Sequence, residues 1–248
     1  MLFDESTLVW FLLLFELIIS LVLILGSKSQ PFPTPARRFG ILLLVIFSLL
    51  LLGQTAPKPT GIEGHLVILS VLGAVGILVG IHHMLRTRRE VLVAPMSGFL
   101  FCVGVTGLIT QTWADLNQFE HWAGFLAIVI LFGGQVWLVF RGLLIGRLPL
   151  AWSQAGMVAL HRGQLHGPHG ALECFEKAWD GDEEHLNPMA YSALYKINLF
   201  LEDQQQADHW NELFLESGGK NAVAKEWLEA IDRCLSAMGY LPTPMSEE

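Results

Sequence analysis

The chain has 248 residues and a formal net charge of −8; 52% of it is hydrophobic and only 15% charged, against about 25% in ordinary soluble domains. The charge is unevenly placed: residues 1–149 carry nine Lys/Arg and seven Asp/Glu, whereas residues 150–248 carry six and sixteen. This asymmetry predicts two parts with different solvents, and the acidic second part argues against a nucleic-acid partner, because phosphate binding needs a positive surface.

Leu8–Leu25 is an eighteen-residue run with one carboxylate, Glu16, at its centre. At about 1.5 Å per residue it covers most of a hydrocarbon core of roughly 30 Å, so it reads as a membrane helix. Met1 to Thr7 holds Asp4 and Glu5 and no basic side chain, so the run is expected to be retained and not cleaved as a signal peptide. Further apolar runs follow at about 39–56, 65–85, 91–113 and 121–145. Residues 1–149 are therefore expected to form a five-helix transmembrane domain in contact with lipid.

Basic residues fall on alternate connections: Lys28, Arg37 and Arg38; then Arg86, Arg88 and Arg89; then Arg141 and Arg147. The intervening ends hold Asp4 and Glu5, Lys58 with Glu63, and Asp115 with Glu120. The positive-inside rule then places the N-terminus outside and the second half in the cytoplasm. The compact loops suit a bacterial inner membrane. Gly73, Gly76 and Gly80 lie on one face of the third run and are expected to pack helices closely, within the bundle or in a homo- or hetero-oligomer.

A carboxylate at mid-bilayer costs several kcal/mol unless it is protonated, paired or hydrated, so Glu16 is expected to face the bundle interior. Gln135, placed midway along the fifth run, is its best visible companion. The pair reads as an interhelix packing element; the alternative is a proton or cation path through Glu16. His65 and His121 each open a span at the outer boundary, which leaves a haem-carrying redox subunit as a further alternative. Ser97 and His121 fall at opposite faces of the bilayer, too far apart for a nucleophile and its base. Cys102, Cys174 and Cys234 have no metal or disulfide spacing and read as free thiols. No catalytic residues, cofactor or metal site are expected.

After residue 150 the pattern changes to amphipathic helices, read at 152–162, 170–179, 188–201, 204–216 and 221–237. Asn187-Pro188 is an N-cap followed by proline at the first helical position, and Gly218-Gly219 is a stop. Trp152, Gly156 and Gly163, then Ala171, Phe175 and Ala178, alternate small and large residues over a first helix pair. Tyr191, Leu194 and Ala207 do so over a second, with Ala171 and Ala207 36 residues apart. In these features the segment resembles tetratricopeptide repeats, whose period is about 34 residues. It departs from them at the long His166–His169 turn, at Tyr195 and at Asn211.

The resemblance implies an all-α helical-hairpin domain that binds other proteins in a concave groove, without chemistry of its own. The acidic composition favours a basic partner segment. The whole chain is thus expected to be an all-α membrane adaptor, scaffold or assembly subunit, docking its partner through residues 150–248.

Overall fold

The computed structural model describes residues 4–87, 91–140, 148–179 and 187–239. Among these every regular element is a helix. The chain divides into two compact units, Met1–Gly146 and Arg147–Glu248.

The first unit holds α1 (Glu5–Gly26), α2 (Thr34–Gly53), α3 (Ile62–Ile81), α4 (Val93–Thr112) and α5 (Gln118–Val139). All five are long and apolar enough to cross a membrane. A π-helical turn, His82–Thr87, extends α3. The expected extension of the fifth run to Ile145 lies outside the described residues, as do Arg88, Arg89, Arg141 and Arg147.

Buried positions on α1 follow the helical period: Val9, Leu13, Glu16, Ile19, Ser20 and Leu23 form one stripe. α2 meets that stripe at Gly40, whose carbonyl accepts a 2.8 Å hydrogen bond from the Ser20 hydroxyl. α3 and α4 form the most extensive helix pair. α5 starts from a capping box, in which Asn117 and Glu120 each bond the other's backbone nitrogen. It packs on α4 and buries only Gln135 and Leu138 among its described side chains.

The second unit contains α6 (Leu148–His161), α7 (Ala171–Trp179), α8 (Pro188–Phe200), α9 (Gln204–Glu216) and α10 (Lys225–Ala237). α6 pairs with α7 and α8 with α9; the pairs stack through α7 on α8, and α10 lies against α8 and α6. Asn187 caps α8 by accepting from the Ala190 nitrogen. The final helix opens at Lys225, not at the expected 221, because Gly219–Ala222 forms a 3-10 turn first. Gly218 sits at φ 102°, a left-handed conformation that ends α9 at little cost only without a side chain. The core here is aromatic as well as aliphatic, with Phe175, Tyr191, Leu194, Ile197, Ile231 and Leu235 fully buried.

Candidate functional site

Glu16 is 1% exposed and lies on the α1 stripe between two apolar clusters. Leu13 belongs to one, with Leu50, Ile62 and Leu66; Ile19 belongs to the other, with Leu43, Leu69 and Leu100. Its Oε1 has no hydrogen-bond partner among the described residues. An isolated carboxylate is therefore held inside the apolar unit, where a charge without a partner is costly.

Gln135 does not serve as its companion. The Gln135 Nε2 donates to the Pro95 carbonyl at 2.9 Å. Gly98 creates the space for this, since a Cβ there would overlap Gln135 Oε1. Gln135 Oε1 is buried without a partner among the described residues, beside a cleft of about 270 Å³ bordered by Ile77, Phe101, Cys102, Gly134 and Leu138.

Gly73, Gly76 and Gly80 face α4. A Cβ on Gly73 would come within 2.6 Å of Phe101 Cα, and one on Gly80 within 2.6 Å of Ala94 Cα. Gly76 lies against Ser97, whose buried hydroxyl has no partner among the described residues. These glycines let two backbones meet. By contrast, nothing lies within 4 Å of a Cβ built on Gly133 or Gly134.

The boundary histidines are engaged locally. The His65 ring nitrogen lies 3.0 Å from Gln54 Nε2, and the His121 ring bonds the Trp113 carbonyl at 2.9 Å. Among the described residues no group of three or more His, Cys, Asp or Glu is placed to hold a metal ion.

In the second unit the sequence pattern becomes contact. Gly156 on α6 receives the Phe175 ring of α7, which a Cβ would approach to 2.8 Å. Lys177 pairs with Glu173 and sits 4.9 Å from the centre of the Trp152 ring. Its hydrogen bond, aided by the His169 backbone N–H, holds the Glu173 carboxyl below the usual range. Cys174 is fully buried, which pushes its thiol up to about 11, so it is an inert core residue.

Sequence reasoning missed how α10 is fastened. Lys196 of α8, 8% exposed at its side chain, pairs with Asp232 of α10 at 2.6 Å, and Trp227 Nε1 donates to the Met189 carbonyl at 3.0 Å. A lysine between Tyr195 and Ile197 on a helix rich in buried residues was the available signal. Sequence reasoning also missed a groove of about 840 Å³ between α6 and α10, with Met157, Leu160 and Met238 as apolar lining and Arg162 and Arg233 among its borders. Nothing in the sequence joins those two arginines, which lie 71 positions apart.

Comparison of the chain with protein-family models, curated proteins and solved structures finds no match.

Proposed function

We propose that the chain is an integral membrane adaptor or assembly subunit, in which five spans anchor a tetratricopeptide-like module that receives a partner protein. Under the positive-inside reading the N-terminus is outside and the module is cytoplasmic, and the compact connections suit a bacterial inner membrane. One observation carries this reading most directly: two helical hairpins stack through α7 on α8, with small residues receiving large ones, as Gly156 receives Phe175. Stacked hairpins of this kind present extended surface for another chain to lie against.

The test is capture of partners by the full chain and by a chain lacking residues 147–248, both held in the same detergent. Loss of the partners on truncation is expected; their full retention would reject the adaptor reading.

The isolated Glu16 carboxylate favours a second reading, a proton or cation path. Glu16→Gln keeps the side-chain shape and removes the titrating oxygen. An adaptor keeps its partners in that variant, and vesicles containing either form show the same ion or proton leak. A conducting protein loses its flux.

A further inference from the structure

We infer that the α6–α10 groove is the partner seat of the second unit and that it takes an acidic segment with apolar side chains. This rests on the reading of that unit as a partner-binding module, and it reverses the partner charge expected from composition.

The argument comes from where the cations are. Residues 150–248 contain six Lys/Arg: Arg162, Lys177, Lys196, Lys220, Lys225 and Arg233. Lys177, Lys196 and Lys225 are paired with Glu173, Asp232 and Glu229. Among the described residues Arg162 and Arg233 form no ion pair, and both border the same groove. Among the described residues, then, two of the three cations that form no ion pair line one place, in a unit with sixteen Asp/Glu. No Asp or Glu is among the described residues lining it.

The rest of the lining is mostly apolar, with Met157, Leu160 and Met238 beside His161 and Cys234. Methionine fills irregular space and adapts to varied partners. Guanidinium groups present a planar fork that matches carboxylates in two-point contact. An apolar side chain seated on the floor with carboxylates at the rim satisfies both features. A basic segment would meet the arginines as like charges. The groove's size, about 840 Å³, accommodates several side chains of such a segment.

The groove contains its own reporter. Cys234 lines it and is partly exposed, whereas Cys102 and Cys174 are buried. The full chain in neutral detergent is treated with two methanethiosulfonates, one carrying a sulfonate and one a quaternary ammonium, and modification at Cys234 is read by peptide mass spectrometry. The thiolate population is common to both reactions and cancels in their ratio. After each reagent's rate is normalised to a small free thiol, the anionic reagent is expected to be faster by about fivefold, as two nearby cations in a wet groove allow. Arg162→Gln with Arg233→Gln is expected to bring the ratio near one. A wild-type ratio that favours the cationic reagent would overturn the inference without any variant.

The second arm is protection. A short amphipathic peptide of leucine and glutamate is expected to slow modification of Cys234 severalfold, and its leucine–lysine counterpart to leave it unchanged. Equal protection by both, no protection by either, or protection by dodecyl phosphate alone would reject an acidic segment as the occupant. If partners captured through residues 147–248 remain fully bound to the doubly substituted chain, the groove is not their seat, although the adaptor reading survives. If truncation releases nothing, the adaptor reading itself fails.

Discussion

In the first unit the most extensive helix pair is joined by leaving side chains out. Gly73 and Gly80 bring α3 against the α4 backbone at Phe101 and Ala94. In the second unit α10 is joined to α8 by large and charged groups, with Lys196 on Asp232 and the Trp227 indole on the Met189 carbonyl. The difference follows from what each surface faces. Where the outer surface is as apolar as the interface, burying a leucine gains little, and helices adhere through close backbone contact and dispersion. Where the surroundings are water, apolar burial drives packing, and an ion pair adds direction.

The largest effect expected from breaking this contrast is at the glycines. Gly80→Val places a branched side chain against the Ala94 backbone, which has no flexible end to move aside. Destabilisation of about 3 kcal/mol, the upper end for overpacking, is expected in a denaturant titration of the detergent-solubilised chain. Gly134→Val, where nothing lies within 4 Å, provides the matched control and should change stability far less. Equal effects would show that the α3–α4 contact has no special weight.

Asp232→Ala comes next. It leaves the Lys196 ammonium buried with, among the described residues, only the Leu228 carbonyl at 3.5 Å. Removing one partner of a fully buried pair costs about 3–5 kcal/mol. The Asp232 side chain is 38% exposed, so screening reduces the expected loss to about 2 kcal/mol. Lys196→Met together with Asp232→Leu should recover part of it, because two apolar groups replace the pair. Increased hydrogen exchange confined to α10 in Asp232→Ala would locate the effect.

These sites also show how far the sequence could be read. Each of the five apolar runs contains a helix among the described residues, because hydropathy over eighteen or more residues is a strong and local signal, although the second ends at Gly53, short of the expected 56. The inward direction of Glu16 was legible from the cost of leaving a carboxyl in an apolar surround, and the structure places it on the buried stripe with Leu13, Ser20 and Leu23. Its partner was not, since hydropathy gives neither the rotation of a helix nor its axial offset, and Gln135 turned instead to Pro95. The closing helix began late because a left-handed Gly218 and a 3-10 turn consumed its first residues, a detail that propensity does not resolve. The positive groove was hidden by averaging: a net charge describes a segment, whereas recognition depends on which few charges meet in space.

The smallest effect separates the units by acid titration. Glu173 accepts from Lys177 and from the His169 backbone N–H at the start of α7. Its carboxyl is held low, chiefly by the Lys177 hydrogen bond. A depressed native value means stability that is present above the usual carboxylate range and lost as pH falls through that native value. Glu176, one turn on, moves the opposite way, raised by burial and then by Glu173, so its contribution is present in acid and lost as pH rises. The Glu173 side chain is 35% exposed, so the pair with Lys177 is worth a few tenths to about 1 kcal/mol. Hydrogen exchange of residues 171–179, corrected for intrinsic rate, should be faster in Glu173→Gln than in the parent at neutral pH. The two should converge in acid, when the parent carboxyl is itself protonated. Glu176→Gln should instead slow exchange at neutral pH and leave it unchanged in acid, and α3 and α4 should respond to neither variant. A uniform response across both units would mean that acid acts through the net charge of the chain and not through this helix start.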